Sequence, residues 1–441
     1  MSQPTRLHDS TDRGSRRDFL KQGAAAVGVA GGLSLARSAH AAGDDLIKIG
    51  LVGCGGRGAG AAVNALRSGA NVKLVAAGDA FQEMLDRGLG GVKGAVPERV
   101  DVPPERQFVG LDAYQQVIAA DVDVVLLCTP PGFRPAQFEA AVQAGKHVFM
   151  EKPVAVDGPG VRKVIAANEV AKQKGLAVAV GHHLRHEDKH IEVVNRLHDG
   201  LIGDILFQRA YFNSGGVWTR PRKEGQTELE YQVWNWYYFN WLSGDHIVEQ
   251  HVHDLDVANW IKNGPPVQAN GMGGRQVRVS KDHGEIFDHH AVEFDYADGS
   301  KLFSYCRHIR NCWNSFSEHA HGTKGHCDIQ GHGSSAIYPQ GQEPLRWRRS
   351  HDGHQIEHNN LFAALAAGKP YNEADYGASS TLTAIMGRMA TASGNIVTYD
   401  AALNSEIELG PKELAWDAEA PVKPGDDGLY PCAIPGVTKA W

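Results

Sequence analysis

Paired cysteines are absent from this chain of 441 residues. The six cysteines stand at positions 54, 128, 306, 312, 327 and 432 with no CxxC among them, which excludes a zinc ribbon and a disulfide scaffold. A basic excess is absent too. The 44 Lys and Arg against 51 Asp and Glu give a formal charge of −7, the wrong sign for gripping a phosphate backbone, so no nucleic acid partner is expected. No stretch reaches the ~18 apolar residues of a membrane span. Internal repeats and low-complexity blocks are missing. Charged residues at 22% beside 42% hydrophobic residues exclude a mostly disordered chain, and the length calls for two domains or three. What the chain holds in quantity is glycine, 51 residues, which means many tight turns, and histidine, 22 residues, several of them close together.

Residues 15–21 read Ser-Arg-Arg-Asp-Phe-Leu-Lys, a Gly/Ala-rich apolar run follows over 23–35, and Ala39-His40-Ala41 offers a small-residue cleavage site. A charged start, an apolar middle and an A-x-A site make a signal peptide. The arginine pair resembles the twin-arginine export signal. Residues 1–42 are therefore expected to be an address, and the protein to be exported to the periplasm or beyond. Without them the formal charge becomes −10, since they carry six basic and three acidic residues. The twin-arginine route carries folded proteins, usually with a cofactor already loaded; this expectation belongs to the resemblance.

A short β-branched run over 46–52 reads as a buried strand. Gly53-Cys54-Gly55-Gly56-Arg57-Gly58 follows and matches G-x-G-x-x-G. An Ala-rich helical stretch (59–68) and a second strand (72–77) come next, and Asp79 stands about two dozen residues past the first glycine, the context of a dinucleotide-binding turn. Gly53 permits the tight turn, Gly55 lets the backbone approach a pyrophosphate, Gly58 lets helix and strand pack, and the helix start faces the phosphates. Asp79 accepts from the ribose hydroxyls and repels a 2′-phosphate, which favours NAD. Arg57 pulls the other way, since it can pair with a phosphate, so NADP stays open. Further strands over 121–128 and 147–150, with a helix over 137–144 between them, imply a parallel sheet whose ligands bind at the strands' carboxyl ends.

At Glu151-Lys152-Pro153, preceded by Ala-Gly-Lys-His-Val, the chain resembles the Gfo/Idh/MocA family of glucose–fructose oxidoreductase and inositol dehydrogenase. The resemblance spans the glycine loop, the Thr129-Pro130-Pro131 turn, the Glu-Lys-Pro element and a later His253-Asp254-Leu255-Asp256. It implies an α/β Rossmann domain followed by an α+β domain with a large, open, mostly antiparallel sheet. The expected bounds are 43–180 for the first, 181–370 for the second, and 371–441 for a C-terminal helix and tail packing back on the first. It also implies that Lys152 sits by the nicotinamide and the substrate hydroxyl, that its following proline is cis, and that Thr129, Pro130, Arg134 and Glu151 lie at the cofactor. Arg134 is a departure, for many members have His there. A homo-oligomer through the open sheet is expected.

A crossover helix (161–174) and a strand (176–180) lead into Gly181-His182-His183, which places His182 and His183 by the cleft. Residues 244–256, continuing through Ile261, read as one helix that puts Glu249 and His253 at i and i+4 on one face. By the resemblance His253 is the general base and Glu249 its acidic partner; a base that titrates near neutrality suits alcohol oxidation. His251 lies close. Metal binding by Glu249, His253 and His251 and plain core packing of these histidines both stay open, although no H-E-x-x-H occurs and the preferred reading has no metal. The run 234–241, Trp-Asn-Trp-Tyr-Tyr-Phe-Asn-Trp, suits core packing, with Trp236 and Tyr238 as candidate platforms for a sugar ring.

Three functions follow. One is an oxidoreductase moving a hydride between tightly bound NAD and a sugar, glycoside or polyol hydroxyl. Another is a redox-neutral glycosidase or lyase that oxidises its substrate transiently. The third, a non-catalytic sugar sensor, would have lost Lys152 or His253, and both are present. Export favours a cofactor that stays bound and is regenerated in place.

Overall fold

The computed structural model describes residues 45–331, 333–348 and 351–440. The expected signal peptide lies outside the described residues.

Six parallel strands form the first sheet: β1 (Ile47–Val52), β2 (Val72–Asp79), β3 (Gln107–Val109), β4 (Val124–Leu127), β5 (His147–Met150) and β6 (Val178–Val180), in the order β3-β2-β1-β4-β5-β6. Their central strands are continuous apolar runs because helices cover both faces. The order reverses between β1 and β4, so the helices after these strands leave on opposite sides and open a crevice at their carboxyl ends.

The second sheet has nine strands: β7 (Ile205–Ser214), β8 (Gln268–Gly274), β9 (His289–Asp295), β10 (Lys301–His308), β11 (Ser315–Gly322), β12 (Gly325–Gln330), β13 (Ser335–Pro339), β14 (Leu345–Trp347) and β15 (Val397–Thr398). Their order is β14-β13-β12-β11-β7-β10-β9-β8-β15, and only β7 and β10 run parallel. The expected fold class is thus observed. The buried Ala210, Leu302, Ser304, Val292 and Phe294 alternate with partly open residues, so one face packs on helices and the other is left open.

Helix Ala374–Ser393 is the spine between the two sheets, packing on helix Gly158–Gln173 on one side and on β8, β9 and helix Val252–Lys262 on the other. Just before it, residues 371–373 line the edge of β6: Val178 N donates to Tyr371 O (3.0 Å) and Glu373 N donates to Val178 O (2.9 Å).

Two expectations are corrected. Helix Gly353–Ala366, assigned by sequence to the second domain, buries Leu361, Phe362 and Leu365 against the first sheet and packs on helix Gly56–Leu66. The single helix expected from 244 to 261 is two, His246–Glu249 and Val252–Lys262. The backbone N–H groups of Gln250 and His251 both donate to His246 O (3.0 and 3.1 Å), so the turn widens by one residue before helix resumes.

Candidate active site

At the crevice between β1 and β4 lies a groove of about 290 Å³ lined by Gly53, Gly55, Gly56, Arg57, Gly58, Asp79, Thr129 and Pro130. The glycines divide by cause. Gly53 has φ +90°, and a Cβ on Gly58 would stand 1.8 Å from Gly53 O, so the turn itself requires both. A Cβ on Gly55 or Gly56 would meet no atom within 4 Å. The fold does not need those two to be glycine; a ligand lying on the backbone does. Helix Gly56–Leu66 starts here with no side chain capping it at Gly55, which leaves its first N–H groups to an anion. Asp79 accepts from Cys54 N (2.7 Å) and Phe81 N (3.0 Å) and still borders the groove; burial outweighs those bonds and raises its pKa. These residues fit a dinucleotide: a phosphate cradle, then a carboxylate at ribose distance along the chain.

Arg57 is committed elsewhere. Its Nε lies 2.8 Å from Glu151 Oε1. Burial pushes Glu151 upward, but the Arg57 and Lys152 charges win and hold its carboxyl below the usual value. An arginine tied to a buried carboxylate is poorly placed to read a 2′-phosphate.

The next residue after Glu151 opens the second recess, about 1000 Å³, lined by Lys152, His183, Glu187, Lys189, Glu249, Gln250, His253 and His354, with Phe212 and Phe316 as its apolar walls. The Lys152–Pro153 peptide bond is cis, as expected. Lys152 Nζ donates to the backbone O of Glu249 and lies 3.3 Å from its Oε1, with both side chains largely buried. Burial raises the pKa of Glu249 although Lys152 opposes it. His253 is held well below its ordinary value, first by burial and then by the charges of Lys152, His183 and His182. It is therefore neutral, with a lone pair to offer, throughout the neutral range. Its ring lies 4.8 Å from that of His183, whose pKa burial lowers to about 4, and the rings of His183 and His354 lie 4.0 Å apart, tilted by 38°. The widened turn at 250–251 breaks the helix, yet Glu249 and His253 still converge on one cleft.

Residues 47–182 match the family model described as "Oxidoreductase family, NAD-binding Rossmann fold", and residues 190–327 match the "GFO/IDH/MocA C-terminal domain". The chain belongs to the Gfo/Idh/MocA family. An inositol 2-dehydrogenase of Rhizobium meliloti (strain 1021) is 25% identical over 281 residues, 63% of this chain and 74% of that protein. An inositol 2-dehydrogenase of Saccharopolyspora erythraea is 32% identical over 169 residues, 38% of this chain and 46% of that protein. Among solved structures, levoglucosan dehydrogenase in complex with NADH and levoglucosan aligns with a TM-score of 0.64 at 16% identity, covering 80% of this chain and 100% of its own. The aldose-aldose oxidoreductase of Caulobacter crescentus aligns with a TM-score of 0.63 at 18% identity, covering 80% of this chain and 100% of its own. At those identities the solved structures speak for the fold alone. No helix among the described residues is long and apolar enough to cross a membrane.

Within this family frame, several expected site residues sit elsewhere. Arg134 is buried and does not reach the groove; its guanidinium donates to Leu127 O (2.8 Å), Thr129 O (2.6 Å) and Pro153 O (3.2 Å), tying together the loops after β4 and β5. Glu151 lines neither recess and acts through Arg57. Trp236 borders the dinucleotide groove rather than the polar recess. Tyr238 is buried, its hydroxyl donating to Val217 O (3.2 Å). His251 is fully buried between Asp254 (3.1 Å) and Ser304 (2.7 Å). His182 lies behind His253, ring to ring at 6.1 Å, and does not line the recess. Sequence reasoning missed Glu187, Lys189 and His354. The period-2 pattern of β7 could have pointed to Phe212; nothing local points to His354, which arrives from helix Gly353–Ala366, after β14.

Proposed function

We propose that the protein is an exported oxidoreductase that moves a hydride between a tightly held nicotinamide dinucleotide and a hydroxyl carbon of a sugar, glycoside or polyol. The observation that carries this reading is the convergence of Lys152, Glu249 and His253 in a polar recess at the carboxyl ends of the strands that form the dinucleotide groove. Bound NAD supplies the hydride acceptor. Neutral His253 takes the hydroxyl proton, and Lys152 donates a hydrogen bond to the oxygen as it becomes a carbonyl. Glu249 holds the Lys152 ammonium in place by its backbone oxygen and its carboxyl group. Phe212 and Phe316 offer flat faces to the C–H faces of a ring. The names of the inositol 2-dehydrogenase relatives support the substrate class. Export rests on the arginine pair, apolar run and small-residue site of residues 15–41. Homo-oligomerisation rests on the open face of the second sheet, where Tyr211 stacks on Tyr305, Phe207 on His321, and Met272 and Trp313 stand exposed.

A second reading, redox-neutral cleavage of a glycoside, is favoured by one observation. The recess holds more acid and base groups than oxidation alone uses: His183, Glu187 and His354 besides the lysine and His253. One assay separates the two. The purified protein is mixed with cyclic polyols, free sugars and glycosides, and nucleotide reduction and aglycone release are followed together. NADH accumulation with polyols supports net oxidation; aglycone release without it supports cleavage. If denaturation frees no NAD or NADP and no substrate turns over, both readings fail.

A further inference from the structure

Behind the recess, between the spine helix and the second sheet, lies a second set of histidines that the proposed reaction does not use. Two lie outside the group of candidate ligands that converge on one point. His251 is bonded on both ring nitrogens, and His308 Nδ1 accepts from Arg278 (2.7 Å). His246 and His290 differ. They flank Asp245, all three are at least 97% buried, and one ligand-capable atom from each lies within 4.8 Å of the other two.

The ring nitrogens of this triad are only partly satisfied. The Thr391 hydroxyl stands within hydrogen-bond distance of Arg388 O (3.0 Å), Gly387 O (3.2 Å) and His290 Nδ1 (2.9 Å), so Nδ1 is the ring nitrogen of His290 that already has a partner. Its other ring nitrogen, Nε2, faces Asp245 Oδ1 at 3.4 Å. That oxygen already accepts from the backbone N–H of His246 (2.6 Å) and faces His246 Nδ1 (2.8 Å). A ring nitrogen facing a carboxylate oxygen out of water is a pair that a cation joins, a proton or a metal ion. The Nε2 atoms of His246 and His290 have no hydrogen-bond partner among the described residues. Ligand atoms 3.4 Å apart also suit an ion with bonds of ~2.0–2.2 Å to nitrogen and oxygen.

Two further observations point the same way. Asp245 has φ 71° and ψ 163°, backbone that is nearly restricted to glycine, and this strained residue is what presents the carboxylate to both rings. A cavity of about 320 Å³ adjoins the triad, lined by Asp245, His290, Glu285, Arg388 and Cys432, with the C-terminal tail as its outer wall. It leaves room for water or a small anion to complete a coordination shell.

We propose that Asp245, His246 and His290 bind a divalent transition metal of the zinc class, with its remaining positions open to this cavity. Two imidazoles and one carboxylate are a donor set that such ions favour over magnesium or calcium. Asp245 caps the short helix His246–Glu249, whose last residue holds Lys152, so the ion would clamp the element that positions the lysine. The inference is independent of the substrate assigned to the recess.

The test uses the full chain, purified without a histidine tag, stripped with a chelator and titrated with Zn²⁺ and with Co²⁺. One equivalent should bind, and Co²⁺ should give visible d–d absorption. His290→Gln should weaken binding by more than the roughly 10–100-fold typical of losing an outer-shell partner, while His253→Ala should bind like wild type. X-ray absorption on the zinc-loaded wild type, which needs no variant to fold, should show an N/O shell with imidazole scattering. Absence of a bound equivalent in wild type, a sulfur ligand, or binding lost in His253→Ala but kept in His290→Gln would each overturn the proposal. The first result would mean that a proton alone joins His290 to Asp245.

Discussion

Replacing Lys152 by Met removes one ammonium from a site where it acts twice. In catalysis it is the donor to the reacting oxygen, and loss of a positioned proton-transfer group costs roughly 10²–10⁴ in turnover. In the folded protein it is also the cation beside Glu249, 3.3 Å from Oε1, in a pair whose side chains are only 10% and 14% exposed. Burial already raises the pKa of Glu249, and Lys152 is the strongest influence lowering it. Without the lysine the carboxyl rises further and takes up a proton that the unfolded chain does not hold. A group that binds protons more tightly when folded loses its stabilising effect as pH rises through the folded pKa. Lys152→Met should therefore lose more stability, relative to wild type, at about pH 8 than at about pH 5, with an upper limit of ~3–5 kcal/mol for a buried carboxylate left ionised and alone. Adding Glu249→Gln removes the titrating group. The double variant should recover most of the thermal stability and the wild-type pH dependence while turnover stays low. Thermal melts across pH, read beside steady-state turnover with whichever polyol or glycoside is active, separate the two roles. Turnover in Lys152→Met within about threefold of wild type, or recovery of activity by Glu249→Gln, would refute the assignment of Lys152 to the reacting oxygen.

Four other outcomes follow from the same geometry. His253→Ala should lower turnover by roughly 10²–10⁴ with little change in melting temperature; His251→Ala, which strands Asp254 and Ser304 in the core, should cost about 1–3 kcal/mol for each unsatisfied group and spare turnover in the molecules that remain folded. Gly55→Ala should melt like wild type yet bind NAD at least about tenfold more weakly, because its methyl group enters ligand space, whereas Gly58→Ala should fail to fold its first domain. Asp79→Ala should weaken NAD and narrow the gap to NADP by calorimetry on stripped protein; unchanged affinities would remove it from the ribose. Burial lowers His182, His183 and His358 to about 4, 4 and 3, so the unfolded chain binds more protons below ~6.5 and stability falls as pH falls; the unfolding free energy from urea titrations should drop between about pH 7 and pH 5, by at most ~2 kcal/mol per histidine.

The first sheet was legible because its information is local. Strands buried on both faces are unbroken apolar runs, and the glycine turn carries its own steric reason at Gly53 and Gly58. The helix break at Gln250–His251 was not legible. The apolar spacing of 244–261 is helical throughout, and what widens the turn lies off the helix: Ser304 on β10 fixes the His251 ring, and Asp245 takes its strained backbone while bonding to Phe287 N (2.9 Å). Lys152, Glu249 and His253 take their roles from the family resemblance, and helical spacing served only to put Glu249 and His253 on one face, so the three meet in the recess although the helix meant to align two of them is interrupted.

The misplaced residues share a physical property. Arg134, Tyr238 and His251 are all reactive side chains near the right segment, and each spends its polar atoms on neighbours inside the fold. Sequence reports that such a group is close to a site but not which way it faces, because the carbonyl or hydroxyl that satisfies it comes from another element: Pro153 for Arg134, Val217 for Tyr238, Ser304 for His251. His354 is the converse case. It comes from a helix that the family models do not reach and packs against His183, so its place in the cleft follows only from the docking of helix Gly353–Ala366 against the first sheet. Residues of this kind, brought by packing rather than by motif, are where a fold shared with distant relatives acquires a recess of its own. Substrate choice in this chain is therefore to be sought at His183, Glu187 and His354 before the lysine and histidine that resemble the family's.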